Sequence, residues 1–447
     1  MSIKKSIYEE LIIESSDSKR TVDLIGASIL FEYYEDILSP TITAKIKIVN
    51  NGNVIAPADN PDGDKQSIYN GLPIRGGERI SLKIAGNSVT NPALDFSKKS
   101  SDYLYVFNIT DIITETNRES FTLHLSSREA ITNETSRISK KFPTSLRISD
   151  SVEKILKESL KTSKIGTIDT SSNKYGFIGN MRKPFTVLVW LASKAVSEKI
   201  KNASAGFLFY QTQDGFQFRS LDNLLLQEPK AVYTFTESQD SYDEDDKKIN
   251  NDFNILNYNA DKNQNIIDQL RLGAYSSHRM FFNPLNFSFS RPEDGIFKKS
   301  DYVNKSNNLG GKFEFPPVQE GSNVTLGDIP SRIITAVLDV GTMDQDVSKD
   351  LNSDPKLYQS QSLMRYNTLF TQSINMMVPL NTNLRAGDII ECKFPKISNS
   401  PAKEYDKEQS GYYLIKELCH HFNVNNSYTS LRIIRDTYGI NVTERES

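Results

Sequence analysis

Alternation of apolar and polar positions dominates the first part of the chain. Ile42, Ala44, Ile46 and Ile48 alternate with Thr43, Lys45 and Lys47, the period of a strand with one face buried. Ile80, Leu82 and Ile84 repeat the pattern, and so do Phe121, Leu123 and Leu125. The stretches 50–71 and 87–101 are rich in Asn, Asp, Gly, Ser and Pro and read as exposed loops. Residues 1–125 therefore predict an all-β domain.

The period changes near residue 130. Asp150 and Glu153 have the spacing of a capping box, with Asp in the Ser/Thr place. Val152, Ile155, Leu156 and Leu160 then share one helical face, which predicts a helix near 150–161. Pro184 suits a first helical turn, and Phe185, Leu188, Val189, Ala192 and Val196 predict a helix over 184–200. Residues 206–220 read as a hairpin turning at Asp214-Gly215. Helix, helix and hairpin predict an α/β domain over 126–230. The acidic run 240–248 lacks the Gly and the distal Glu of a calcium loop, so it reads as solvated. The stretch 290–328 reads as an extended excursion. Two helices are expected after it. One carries Ile333, Ile334, Val337 and Leu338 and stops at Gly341; the other spans 361–372, with Tyr366, Leu369 and Phe370 on one side. From Ile374 onward the pattern is β again.

The two ends of the chain match. Gly77-Glu78-Arg79-Ile80-Ser81-Leu82-Lys83-Ile84 and Gly387-Asp388-Ile389-Ile390-Glu391-Cys392-Lys393-Phe394 both read Gly-acid-x-Ile-x-apolar-Lys-apolar, 310 residues apart. Tyr105 and Tyr413 lie 308 apart, and Phe121-Thr122 with Arg128-Glu129 lies 307 from Tyr428-Thr429 with Arg435-Asp436. Three blocks in one order predict a duplicated β-domain, although the apolar phase between the last two blocks differs by one residue. Short strands fit a small barrel or sandwich. The first copy is continuous and the second is interrupted.

Composition narrows the function. The chain has 447 residues, enough for two to four domains. It carries 53 basic against 56 acidic residues, a net charge of -3, which removes the main electrostatic argument for nucleic-acid binding. With 2 Cys, 4 His and 1 Trp, a disulfide framework, zinc site or redox centre is disfavoured. Cys392 and Cys419 read as free buried thiols. No apolar stretch follows the N-terminal lysines as in a secretory signal, and none approaches a membrane span. Against that background the Asn-x-Ser/Thr matches at Asn108, Asn133 and Asn202 read as chance. Phosphate-loop, dinucleotide, nucleophile-elbow and zinc-protease motifs are missing. In Cys419-His420-His421, the two histidines point to opposite faces of a strand, so they cannot chelate one ion. Cys419 and His421 share a face, which leaves a two-ligand site conceivable beside the favoured reading of a satisfied interior cluster. Trp190 and Tyr366 read as core or contact residues. No pair of carboxylates stands out for glycoside hydrolysis.

The chain resembles the baseplate hub proteins of contractile-tailed phages, whose relatives include the hub part of the type VI secretion spike. The resemblance spans most of the chain. It rests on the Gly77 and Gly387 strand starts and on Lys183-Pro184-Phe185 leading into Trp190-Leu191-Ala192. It rests also on Gly206-Phe207-Leu208-Phe209-Tyr210 with Asp214-Gly215-Phe216-Gln217-Phe218-Arg219-Ser220-Leu221. The end of the chain carries it furthest, with Gly411-Tyr412-Tyr413-Leu414-Ile415, His421-Phe422 and Tyr428 to Asp436. The stretch 296–328 departs from the family pattern.

The resemblance implies a mixed α+β fold, mainly β. It comprises a first tube-type β-barrel (1–125), the α/β domain (126–230), a second barrel in two pieces (231–295 and 375–447) and an inserted loop and helical region (296–374). It implies a structural homotrimer with no catalytic residue, cofactor or metal. Three chains would present six similar units, adapting a three-fold spike to a six-fold tail tube around a channel. The implied partners are the central spike protein, tail tube or tube-initiator proteins, tape-measure protein and inner baseplate proteins, with DNA only in transit and no stable membrane association. The implied location is the virion tail baseplate, assembled in the host cytoplasm. The alternatives are a hub that also carries a cell-wall-degrading module, or one with a carbohydrate-binding module using Phe281, Phe282, Phe287 and Phe289, which regular strand packing would otherwise explain.

Overall fold

The computed structural model describes residues 4–56, 63–86, 91–97, 102–198, 205–236, 250–262, 265–284, 286–289, 295–298, 308–311, 316–338, 358–396 and 405–439. The period-two segments form strands. In Thr43–Asn50 the buried residues are Ala44, Ile46, Ile48 and Asn50. Ile80, Leu82 and Ile84 are buried in Arg79–Ala85, and Phe121, Leu123 and Leu125 in Glu119–Ser126. The fold is mainly β, with several sheets.

One 15-stranded sheet carries both ends of the chain. Its path is open, and no sheet closes into a barrel within the described residues. Two stretches of this sheet share an order. In the first copy Ser28–Asp36, Thr43–Asn50, Glu119–Ser126, Leu104–Thr114 and Arg79–Ala85 lie side by side, all antiparallel. In the second, Asn257–Lys262, Gln372–Pro379, Ser427–Arg435, Gly411–Asn423 and Ile389–Lys393 do the same. Each copy packs its own apolar core. The first includes Phe31, Ile46, Leu82 and Leu123, and the second Ile374, Met376, Ile390 and Leu431. The copies differ at the next strand. Ile7–Glu14 joins the first antiparallel, whereas Val232–Phe235 joins the second parallel.

The structure corrects the register of the repeat. Arg79 pairs with Tyr105 and Ile80 with Leu104, while Ile389 pairs with Leu414 and Ile390 with Tyr413. The counterpart of Tyr413 is thus Leu104, not Tyr105, and both are buried. Both hairpins also carry a bulge at the same place, between Val106 and Asn108 in one and between Ile415 and Glu417 in the other. Beyond it, Leu123 pairs with Ile109 as Leu431 pairs with Leu418, so Phe121 corresponds to Thr429 rather than Tyr428. The shared bulge leaves this relation unchanged; a second bulge, between Thr110 and Ile113 in the first copy alone, adds the one residue by which Phe121 slides relative to Leu104. Arg128 and Arg435 are not equivalent: one opens the helix Arg128–Thr135 and the other ends a strand.

Between the copies, helices Ile148–Glu158 and Pro184–Ala192 pack with the hairpin Phe207–Thr212 and Gly215–Ser220 on a core of Val152, Leu156, Leu188, Phe209 and Phe216. Asp150 is not the cap of its helix. Arg147 occupies that position, and Asp150 lies in the first turn, where its charge suits the helix dipole. The second helix ends at Ala192, well short of residue 200. Trp190 packs edge-on against Tyr175 and Phe177 at 5.6 and 5.5 Å, a core role.

A separate four-stranded sheet contains Ser276–Asn283, Ser288–Phe289, Ile296–Lys298 and Arg332–Val337. The helix expected around Ile333 to Leu338 is therefore a strand over Arg332–Val337, parallel to Ser276–Asn283. Its Ile-Ile-Thr-Ala-Val run is β-branched at every position but Ala336, and pairing with a tertiary neighbour overrides the helical reading. The expected helix at 361–372 runs Gln359–Thr368, after which the chain becomes strand at Gln372. Of the stretch 231–295, Val232–Phe235, Asn254–Ile255 and Asn257–Lys262 join the large sheet, and Ser276–Asn283 joins the small one. The acidic run 240–248 and the stop at Gly341 lie outside the described residues.

Candidate interface at the junction of the two copies

The Gly-acid motif builds the same corner in both copies. Gly77 and Gly387 have φ of 90° and 93°, a region open to glycine and strained for other residues. Gly77 N–H donates to Val106 O at 2.7 Å, and Val106 N–H returns a bond to Glu78 O at 2.9 Å. Gly387 N–H donates to Ile415 O at 2.8 Å, and Ile415 N–H returns one to Asp388 O at 2.9 Å. The acid closes the turn. Glu78 accepts the Arg75 N–H, three residues back, at 2.8 Å, and Asp388 accepts the Arg385 N–H at 2.8 Å. The motif is therefore Arg-x-Gly-acid, and Arg75 and Arg385 share the 310-residue offset of the glycines.

The copies are stitched together by one strand pair. Ser28–Asp36 of the first lies antiparallel to Gly411–Asn423 of the second, from Glu417 opposite Asp36 to Asn423 opposite Leu30. Lys416 Nζ pairs with Asp36 Oδ2 at 2.6 Å beside this seam. Because Phe31, Tyr33 and Glu35 occupy alternate positions, the strand that buries two aromatic rings also buries a carboxylate.

Glu35 is 1% exposed and joins three parts of the molecule. Its Oε1 accepts the Tyr33 hydroxyl at 2.8 Å and the Gln213 N–H of the α/β hairpin at 2.7 Å; its Oε2 accepts the Ala386 N–H at 2.9 Å. Burial pushes its pKa up to about 6, against the pull of Arg385 and of these donors. Burial also acts to lower the Arg385 pKa, but Glu35 and Asp214 more than offset it and the net shift is upward. Arg385 reaches Asp214 Oδ2 at 3.2 Å. A second buried tie links the Gln359–Thr368 helix to the α/β domain. Arg365 Nη1 donates to Asp222 Oδ1 at 2.7 Å, with the side chains 1% and 0% exposed. Tyr366 donates to Phe207 O at 2.6 Å, so its role is packing and anchoring.

The Cys-His-His segment lies in the seam. Cys419 and His421 share a face, as expected, and His420 occupies the other. His420 is fully buried and stacks on Tyr33 at 6.1 Å, with Nδ1 3.0 Å from Thr429 Oγ1. Burial, aided by Arg385 and His421, lowers its pKa to about 3, so it stays neutral. His421 Nδ1 meets Glu32 Oε1 at 3.1 Å, its Nε2 meets Ser430 Oγ at 3.1 Å, and its ring stacks on Tyr428 at 4.5 Å. These partners make the segment part of the interior packing. Cys392 and Cys419 are free and buried, and burial raises both thiol pKa values. Of the four phenylalanines expected to pack regularly, Phe281 is buried, but Phe287 and Phe289 are 80% and 65% exposed and stand over Phe282 at 6.2 and 5.1 Å.

No family model matches the sequence, and no curated protein matches it. The fold does match solved structures. The tail protein from Neisseria meningitidis MC58 aligns with TM-score 0.51 at 10% identity, over 96% of both chains. The 43 kDa tail protein of prophage MuSo2 from Shewanella oneidensis aligns with TM-score 0.51 at 9% identity, over 96% of this chain and 98% of that one. A Francisella PdpA–VgrG complex in its lidded form aligns with TM-score 0.47 at 11% identity, over 98% of this chain and 55% of that one. The chain has the fold of phage tail proteins.

Proposed function

We propose that this chain is the structural hub of a contractile-tail baseplate, a homotrimer rather than an enzyme. The observation that carries the reading is the duplicated five-strand unit with its repeated Arg-x-Gly-acid corner, joined edge to edge within one chain. Three such chains supply six similar units, which lets a three-fold spike meet a six-fold tube. Each unit is a segment of a tube-type wall that closes only on assembly, which also removes open strand edges. The ring surrounds a channel for tape-measure protein and DNA, and a near-neutral chain of net charge -3 holds phosphates weakly. Its partners are the central spike, tube or tube-initiator proteins and inner baseplate proteins, in the virion tail after assembly in the host cytoplasm. The domain partition assigned from the sequence is part of this proposal with one change: the insertion is taken to start before Ser276 rather than at 296, so that the whole small four-stranded sheet forms its body. A non-catalytic role is supported by thiols and a histidine that burial holds uncharged. Negative-stain class averages of the purified chain test the reading. Rings with six similar lobes support it, and monomers that cleave cell-wall sugar overturn it.

One observation favours a second reading, a hub that also binds carbohydrate. Phe289 and Val337 flank Phe282 in the small sheet, with Phe287 above, and Phe287, Phe289 and Val337 are mostly exposed. Retention on insoluble cell-wall glycan that is lost in Phe287→Ala and Phe289→Ala supports this addition. Equal elution of wild type and both variants overturns it.

A further inference from the structure

We infer that the ring closes by one strand pair per interface, residues 109–114 of one chain against Asn257–Lys262 of the next. The intrachain seam supplies the template. There, the half of Gly411–Asn423 beyond its bulge pairs with Ser28–Asp36 on one side and Ser427–Arg435 on the other. The counterpart of that half-strand in the first copy is the end of Leu104–Thr114. It pairs with Glu119–Ser126, and among the described residues nothing pairs with its other edge. The counterpart of Ser28–Asp36 in the second copy is Asn257–Lys262. It pairs with Gln372–Pro379, and again its outer edge has no partner among the described residues.

Each chain thus keeps one edge of each kind, and the two kinds are the ones already joined inside the chain. Repeating the operation that relates first copy to second carries Asn257–Lys262 of one chain onto the 109–114 edge of another. This is a head-to-tail contact between identical chains, which propagates until the rotation closes it. Exposure fits. Phe107, Ile112 and Ile113 are 54%, 45% and 58% exposed on the free edge, whereas Lys416 and His420 in the corresponding part of the seam are buried. A long edge carrying exposed apolar side chains invites a partner strand.

The seam also sets the register. Phe31 pairs with Ile46, and Tyr258 pairs with Met376, which occupies the place of Ile46 in the second copy. Asn259 therefore takes the place of Glu32, whose partner is His421. On the other strand a second bulge lies between Thr110 and Ile113, where Asp111 has a φ of 54°, and beyond it Ile113 takes the place of His421. Ile113 of one chain should therefore face Asn259 of the next.

The inference rests on the proposed ring and is tested apart from it. The full chain carrying Ile113→Cys and Asn259→Cys is oxidised and run on a non-reducing gel, with native mass measured before oxidation. Directly opposed strand residues have Cα atoms about 4.5–5.5 Å apart, within disulfide reach. The expected result is a trimer crosslinked at least tenfold more than either single variant and more than the mismatched pair Thr110→Cys with Asn257→Cys. A native trimer whose matched pair crosslinks no better than the mismatched one overturns the edge assignment and leaves the ring standing. A chain that stays monomeric in native mass overturns both. Ile112→Pro, on the free edge, is expected to abolish association while leaving the far-UV circular dichroism of the chain unchanged, and a trimer that persists in this variant also overturns the edge.

Discussion

Glu35→Gln removes the one buried carboxylate shared by the first copy, the α/β hairpin and the second copy, and keeps the shape of its side chain. In the native protein the pKa of Glu35 is raised from 4.5 to about 6. An acid whose folded pKa lies above its unfolded value binds protons more tightly when folded. Its contribution is greatest below about pH 4.5 and is lost as pH rises through 6. A difference of about 1.5 units corresponds to about 2 kcal/mol in full, of which about 1.3 kcal/mol falls between pH 5 and 7.5. Urea unfolding of wild type and Glu35→Gln at a series of pH values isolates this group, because every other titration cancels in the difference. The stability advantage of wild type over the variant is expected to shrink by about 1 kcal/mol from pH 5 to pH 7.5. A difference that is flat with pH, or that grows, would refute the account of Glu35 as a carboxylate dominated by burial. A growing difference would instead mean that Arg385 and the backbone donors dominate.

Asp222→Ala leaves the Arg365 guanidinium in the interior without its carboxylate and should cost about 3–5 kcal/mol in chemical unfolding. The double variant Asp222→Leu with Arg365→Met should recover most of that loss, and equal losses in single and double variants would contradict a coupled pair. Gly77→Ala meets no atom near the added methyl, so only its backbone strain of about 1–3 kcal/mol applies. Gly387→Ala carries the same strain and also drives its Cβ into the Tyr210 hydroxyl; it should lower Tm more than Gly77→Ala. His420→Gln keeps a polar group beside Thr429 and removes a ring that stays neutral above about pH 3. In the unfolded chain that ring titrates at its ordinary 6.5, so wild type is expected to lose about 2 kcal/mol from pH 8 to pH 5 that the variant keeps, and equal pH dependence of the two in urea unfolding would contradict a buried, neutral His420.

The strands were legible where one face meets a core and the other meets water, as in Thr43–Asn50. The corner was legible because Gly77 and Gly387 need a φ that other residues resist and because the following acid closes the turn. The exact pairing of the copies was not. Leu104 follows Ile80 by 24 residues whereas Tyr413 follows Ile390 by 23, and the first copy alone carries a bulge between Thr110 and Ile113, so the tyrosine and phenylalanine matches fell one residue out. The Arg332–Val337 strand was misread because an Ile-Ile-x-x-Val spacing suits either period, and only its neighbour Ser276–Asn283 decides. Glu35 left a signal in the Phe31-x-Tyr33-x-Glu35 spacing, which points the carboxylate inward. The Arg365–Asp222 tie left none, since its partners lie 143 residues apart on different elements.

In the proposed ring one chain supplies two of six similar wall segments. Native mass spectrometry of the purified 447-residue chain counts the chains. The expected dominant assembly has three times the chain mass and falls to monomer when the 109–114 edge is blocked. A dominant species of any other closed number, or a monomer at every concentration, would contradict it.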